Sequence, residues 1–157
     1  MVEEDREMDP LATAALAQFN EIHDDLRRVV RDLHGEALNW RPGEETNSIY
    51  VLVTHLLGAE HFWLAAAAGR PIARDRAAEF RAQGSDPGNL LRLLDEADAR
   101  NRDLLAHLTP ETLAATFTGS GEPHSGAWCL LHAIEHSGQH RGQAALTCQL
   151  WEFAQQR

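Results

Sequence analysis

Three histidines are the side chains of this sequence best suited to chemistry. His136 and His140 lie four residues apart in AIEHSGQHRGQ, and His55 lies in the apolar segment VLVTHLLGAEH. Side chains at i and i+4 of a helix share one face, about 6 Å apart, which is close enough to bind one ion. A third imidazole from a facing helix would complete the set of a catalytic metal site, where three protein ligands leave one position open. The spacing therefore predicts a metal site at these three residues.

The other histidines leave alternatives open, because the chain has nine and an i, i+4 pair can arise by chance. His132 extends the four-residue series, but each such step drifts about 40° around a helix. It could be a ligand, a hydrogen-bond partner of a ligand or a packed side chain. Cys129 and Glu135 could also be recruited, although helical spacing favours neither. Surface or packing roles are expected for His23, His34, His61, His107 and His124.

Supporting side chains can be predicted around the three histidines. A buried imidazole without a partner costs about 1–3 kcal/mol, so His55, surrounded by Val and Leu, should form a hydrogen bond. Glu60 and Gln143 are candidates for orienting ligand histidines by hydrogen bonds. Arg141 directly follows a ligand and could steer an anionic substrate, or it could simply be solvated.

Helical periodicity runs through the whole chain and predicts the elements that must position these residues. Asp9-Pro10, Asn47 or Ser48, and Asp86-Pro87 are typical helix starts. The stretch 70–85 is weakly periodic and reads as a long connection with a short helix, and TGSGEPHSG reads as flexible. We expect four long helices at about 10–36, 48–68, 87–108 and 125–153.

This pattern predicts an all-α fold, a four-helix bundle with a long crossover between helices two and three. No alternating strand pattern is present. At 157 residues the chain should form a single domain, 1–157, with a core of about 10–153. Cys129 and Cys148 would lie nearly 30 Å apart on one helix, too far for a disulfide, and should be reduced.

The composition limits the partners and the location. A net charge of −10 with no basic stripe argues against nucleic acid as a ligand. No apolar run is expected to reach the ~20 residues of a membrane span. The N-terminal segment MVEEDREMDP is acidic, unlike a secretory signal, so a cytoplasmic protein is expected.

Three segments, LNWRPGEETNSI, THLLGAEHFWL and HAIEHSGQHRGQ, occur in this order along the chain. Together they resemble the DinB-like (DinB/YfiT-like) metalloenzyme family, and the first resembles its loop between helices one and two, with a Trp-Arg-Pro cluster. THLLGAEHFWL resembles its second-helix motif, and HAIEHSGQHRGQ resembles its last-helix motif, H-x-x-x-H-R-G-Q. The resemblance covers residues 10–153.

The resemblance implies a four-helix bundle with a divalent metal ion, zinc or nickel, held by His55, His136 and His140. The wider superfamily includes enzymes that use low-molecular-weight thiols, so a thiol-dependent S-transferase acting on a small-molecule substrate is the leading expectation. A metal-dependent hydrolase, a non-catalytic metal-stabilised interaction bundle and a bundle without metal are the alternatives.

A homodimer is also expected, because helical bundles often pair through an apolar face. Trp63, Trp128 and Trp151 could anchor such an interface, although each could equally lie in the core.

Overall fold

The computed structural model describes residues 8–157, which form seven helices and one short antiparallel strand pair. Residues 1–7, most of the acidic segment that argued against a secretory signal, lie outside the described part. The helices are α1 Pro10–Val30, α2 Glu36–Asn39, α3 Ile49–Ala67, α4 Arg76–Phe80, α5 Gly88–Ala106, α6 Pro110–Ala114 and α7 Gly126–Gln155. The strands are β1 Thr116–Phe117 and β2 His124–Ser125.

The long helices α1, α3, α5 and α7 pack as the predicted four-helix bundle, with the long crossover between α3 and α5. Two apolar clusters fill the interior, one toward each end of α3. The first surrounds Phe19, Leu64 and Leu105. The second surrounds Leu26, Leu56 and Leu94. Because α3 contributes to both clusters, it is the helix most enclosed by the others.

The burial of α3 explains its composition. Within residues 8–157 it is the helix long and apolar enough to cross a membrane, so the expectation that no run reaches this length was wrong. However, 72% of its most apolar window is buried inside the bundle. A helix enclosed on nearly every side must be apolar around most of its circumference.

Two of the predicted helix starts are observed and the third is shifted. Asp9 and Ser48 each accept a hydrogen bond from a backbone amide of the first turn that follows, and Ser125, expected only as the approximate start of the last helix, does the same for α7. Helix α5 begins one residue later than expected, at Gly88, whose amide donates to Asp86 Oδ1 at 2.7 Å.

The first helix is shorter than predicted. It ends at Val30 rather than near residue 36, and Glu36–Asn39 form the separate helix α2. Gly35 adopts a φ of +54°, a left-handed conformation that interrupts an α-helix and suits glycine. Leu33 lies beyond the end of α1 but still packs against the core. The apolar spacing in the sequence therefore extends further than the helix itself.

A two-residue ladder, not expected from the sequence, joins β1, which directly precedes the segment read as flexible, to β2, which lies within that segment. Thr116 pairs with Ser125 and Phe117 with His124. The start of α7 lies close against α6, and only glycine allows this approach, because a Cβ on Gly126 would lie 2.1 Å from the carbonyl oxygen of Thr112. The strand pair therefore leads directly into the helix that carries two of the candidate ligands.

Candidate metal centre

Helices α3 and α7 bring the three predicted histidines together. His55, His136 and His140 each offer a ring nitrogen, and these atoms lie within 4.8 Å of one another. The Nε2 atoms of His136 and His140 are 3.2 Å apart. The His55 ring centroid lies 5.1 Å from that of His136 and 4.9 Å from that of His140. His55 is buried and the other two are half-buried, so the cluster lies at the edge of the interior.

Hydrogen bonds at Nδ1 fix two of the rings. His55 Nδ1 lies 2.9 Å from Glu79 Oε2, and His140 Nδ1 lies 2.7 Å from Gln143 Oε1. A carboxylate and an amide oxygen can only accept, so both Nδ1 atoms carry the proton. Arg74 Nη2 also lies 3.2 Å from His55 Nδ1, but this longer contact is not a hydrogen bond in that tautomer, because both groups are donors. The Nε2 lone pairs of neutral His55 and His140 are then available to an ion, as in other metal sites with oriented histidines.

The cluster favours neutral imidazoles. Burial is the largest cause and lowers the pKa of His55, His136 and His140, and neighbouring positive charges lower all three further. The hydrogen bonds of His55 to Glu79 and of His140 to Gln143 oppose this shift without reversing it. The pKa of His136 falls to about 3, because burial acts together with repulsion from the protonated forms of His140 and His55. A metal binds the unprotonated ring, so the environment presents these side chains in their ligand form at neutral pH.

Glu79, which is not among the predicted supporting side chains, contacts His55 from the crossover. It lies on α4, is buried, and accepts hydrogen bonds from Arg74 Nε and Nη2, both at 2.7 Å. The Glu79 carboxylate can lie this close to α3 only because residue 58 is glycine, since a Cβ there would lie 2.1 Å from Glu79 Oε1. A glycine inside an apolar helix is the one sequence signal for such a close approach.

Of the two predicted orienting residues, Gln143 contacts a histidine of the cluster and Glu60 does not. Glu60 follows His55 by five residues, which places it about 140° around the helix. It is fully buried on the other side of α3, where it accepts hydrogen bonds from Asn101 Nδ2 at 2.6 Å and Ser137 Oγ at 3.0 Å.

The partner of Glu60 in this second polar cluster is His23, for which only a surface or packing role was expected. His23 Nε2 lies 3.1 Å from both Glu60 oxygens, and its Nδ1 lies 2.5 Å from Asp98 Oδ1. Burial alone lowers the pKa of His23, but the hydrogen bonds to Asp98 and Glu60 outweigh it and raise this pKa to about 9. A protonated imidazole therefore bridges the buried carboxylate of Glu60 and the partly exposed carboxylate of Asp98.

The remaining site candidates lie away from the three histidines or on their margin. His132 stacks on Trp128 with ring centroids 4.6 Å apart and pairs with Glu135 at 3.4 Å. Arg141 is turned toward α1, where its Nη1 donates to Asp25 Oδ2 at 3.1 Å.

Cys129 and Cys148 are both free, and Cys129 is buried. Neither Cys129 nor Glu135 belongs to the cluster of potential ligands.

A pocket of about 510 Å³ opens beside the histidines, with His55 and His136 on its wall. Phe62 and Trp63 of α3 line another part. Ser120, in the turn between β1 and β2, also lines the pocket. Pockets of this size hold small organic molecules, so a substrate could reach the cluster from this side.

The family model of the DinB superfamily matches residues 4–144, so the chain belongs to the DinB superfamily. This confirms the resemblance drawn from the three sequence segments. No curated protein matches the chain.

Solved structures of DinB-like proteins share the fold. The Bacillus subtilis protein YjoA is 18% identical, with a TM-score of 0.69 over 88% of this chain and 92% of its own. A DinB-family protein from Exiguobacterium sibiricum is 24% identical, with a TM-score of 0.71 over 94% and 95%. Bacillus subtilis YfiT is 16% identical, with a TM-score of 0.72 over 96% and 93%. It is described as a probable metal-dependent hydrolase with an unusual four-helix bundle topology.

Proposed function

We propose that this chain is an enzyme that depends on a divalent metal ion, zinc or nickel, held by His55, His136 and His140. The observation that carries the proposal is the convergence of three neutral imidazoles, two of them fixed through Nδ1 by Glu79 and Gln143. Imidazole nitrogen is a preferred ligand of both metals. The adjoining pocket gives a small-molecule substrate access to the same histidines.

An ion bound there would lower the pKa of a water or thiol that it binds, providing a nucleophile at neutral pH. The chain's own residues would hold the rings and shape the surroundings. Glu79 fixes the His55 ring, and Arg74 fixes Glu79 through two hydrogen bonds. Phe62 and Trp63 form an apolar wall of the pocket, which limits the water around a bound substrate.

Two reactions follow from a nucleophile of this kind. Hydrolysis is supported by the shared fold with YfiT, which is described as a probable metal-dependent hydrolase. Thiol-dependent S-transfer, in which a low-molecular-weight thiol replaces water, is supported by the resemblance to the wider superfamily. We retain S-transfer as the leading form and hydrolysis as its alternative.

The test combines elemental analysis with activity assays of the purified protein and a His140→Ala variant. We expect about one zinc or nickel ion per chain, lost in the variant together with thiol conjugation or hydrolysis of model electrophiles. Stoichiometric metal without any turnover, together with a large loss of thermal stability in the variant, would favour a metal-stabilised interaction bundle. A protein without stoichiometric divalent metal would contradict the proposal.

We also propose that the chain forms a homodimer. Trp128 is 39% exposed and Leu131 is 64% exposed on the same helix, which supports an interface along α7. Trp63 and Trp151 are better explained by internal packing, because they contact Phe62 and Trp40. Light scattering of the wild type and a Leu131→Glu variant tests this: a dimer that the variant dissociates is expected, and a monomeric wild type would contradict it.

A further inference from the structure

The pocket beside the three histidines carries a charge that contrasts with the chain as a whole. The chain has a net charge of −10, yet the pocket is lined by Arg74 and Arg76 and by no Asp or Glu. A divalent ion at the histidines would add to this positive charge. Clefts lined by one sign of charge concentrate molecules of the opposite sign.

The two arginines differ in how their charge is used. Arg74 forms an ion pair with Glu79 at 2.7 Å and holds that carboxylate against His55, so its charge is matched within the protein. Arg76 is exposed, and within residues 8–157 it forms no ion pair and no hydrogen bond through its side chain. Its guanidinium carbon lies 4.8 Å from the ring centroid of Phe80. Stacking on an aromatic ring leaves the N–H donors of an arginine available to an anion.

Phe80 connects this free cation to the candidate metal centre. Its ring centroid lies 4.6 Å from that of His55, so guanidinium, phenyl and imidazole groups form a chain of contacts from Arg76 to His55, although Phe80 itself does not line the pocket. Arg76 is thus held beside the histidines by contacts with a ring that itself packs against one of them.

The wall formed by Trp63 suits a flat apolar group. Trp63 makes edge contacts with Phe62, Phe117 and His132, with centroid separations of 5.1, 6.2 and 5.0 Å. These contacts fix the indole within an aromatic cluster at the edge of the cavity. Rigid aromatic side chains of this kind bind planar apolar groups at little cost in conformational entropy.

We propose that the pocket binds an organic anion that carries its acidic group beside a planar apolar portion. Arg76 binds the acidic group, and the Trp63 wall binds the planar portion. Describing this anion as the substrate rests on the proposed function, whereas its binding to the pocket does not require the ion.

The test compares two probes by calorimetric titration of the full-length protein, both metal-free and zinc-loaded. Naphthalene-2-sulfonate and 2-(methylsulfonyl)naphthalene share the ring system, and only the first is charged. We expect the wild type to bind the sulfonate about tenfold more tightly than the neutral sulfone, the effect of one charge-assisted contact. Arg76→Gln should abolish this preference while leaving the affinity for the sulfone unchanged.

Arg81→Gln is the matched control, because Arg81 is an exposed arginine that follows α4 and does not line the pocket. It should retain the wild-type preference for the sulfonate. Equal affinity of the wild type for the two probes, no binding of either, or equal effects of the two substitutions would overturn the proposal.

Elemental analysis of the same zinc-loaded samples separates this proposal from the proposed function. If the protein takes up no zinc but prefers the sulfonate through Arg76, the proposed metal-dependent function is contradicted. The proposal that the pocket binds an organic anion is then still supported. If the protein binds zinc stoichiometrically but shows no preference for the sulfonate over the sulfone, the proposal of an organic anion is contradicted. The proposed metal-dependent function is not affected by that result.

Discussion

Ser137 Oγ donates a hydrogen bond to Glu60 Oε2 at 3.0 Å, joining α7 to α3 in the interior of the bundle. Ser137 is the residue after His136, and Glu60 follows His55 by five residues on the other helix. The two helices that carry the histidines are therefore held in register by a buried contact that touches none of the three rings. Glu60 is a positioning residue, although not in the manner that its place in the sequence suggested.

Replacing Glu60 should weaken both the fold and the candidate metal centre. Glu60→Gln preserves the side-chain size but leaves His23 without one of its two carboxylates, which should lower the free energy of unfolding by about 3 kcal/mol. Zinc affinity, measured where the variant is still folded, should fall as the register of α3 and α7 loosens. Glu21→Gln, on the exposed face of α1, is the control. Reduced stability with unchanged zinc affinity would remove Glu60 from any role at the site.

The His23 cluster predicts how stability depends on pH. The folded state raises the pKa of His23 from 6.5 to about 9, so it binds the proton more tightly than the unfolded chain does. The resulting stabilisation is fully present below about pH 6.5 and is lost as the pH rises through about 9, amounting to roughly 3 kcal/mol. Urea unfolding of wild type and His23→Gln at pH 6 and pH 9 measures this. If the free energy of unfolding falls between pH 6 and pH 9 by no more in the wild type than in His23→Gln, the assignment of this pH dependence to His23 is contradicted.

Substitution of Gly58 should reduce the affinity for metal more than it reduces the stability of the fold. Gly58→Ala places a Cβ 2.1 Å from the present position of Glu79 Oε1, so the carboxylate must withdraw from His55. Loss of an orienting hydrogen bond typically reduces metal affinity by about 10–100-fold. The helix propensity of alanine offsets part of the strain in α3, by up to about 1 kcal/mol. Competition with a chromogenic chelator would measure zinc affinity.

The control for Gly58 is Gly142→Ala in α7, where an added Cβ would meet no atom within 4 Å. This variant should bind zinc as the wild type does. If Gly58→Ala also bound zinc normally, the hydrogen bond from His55 to Glu79 would have no part in holding the ion.

Arg141→Gln should leave metal binding and recognition of the organic anion unchanged, because Arg141 pairs with Asp25 of α1 at 3.1 Å. The contact is half-exposed and should contribute no more than about 1 kcal/mol to stability. Zinc titration and the sulfonate titration described for Arg76 provide the measurements. Loss of sulfonate affinity in this variant would restore the role that its position after His140 first suggested.

The sequence was most informative where one helix determines the geometry. The proximity of His136 and His140 follows from their spacing alone, and Gln143 reaches His140 from the next turn. Glu79 could not be found in this way, because the crossover that carries it has no regular period. Its position depends on a gap at Gly58 in a different helix.

Tertiary packing also decided the orientation of several polar side chains. Glu60 and Arg141 each lie near a candidate ligand in sequence, but the helical rotation directs them toward other helices. Arg76 showed no sequence pattern, and its place beside His55 depends on the ring of Phe80. The strand pair is too short for a two-residue period to be recognised.

The four tryptophans fall into two contacting pairs, and this gives the protein two separate optical reporters. Trp63 and Trp128 have ring centroids 5.4 Å apart beside the pocket, whereas Trp40 and Trp151 lie 5.7 Å apart elsewhere. Trp128 and Trp151 are separated by roughly 35 Å along α7. Indoles this close couple their electronic transitions, so occupancy of the pocket should alter one near-ultraviolet circular dichroism signal while the other serves as an internal reference.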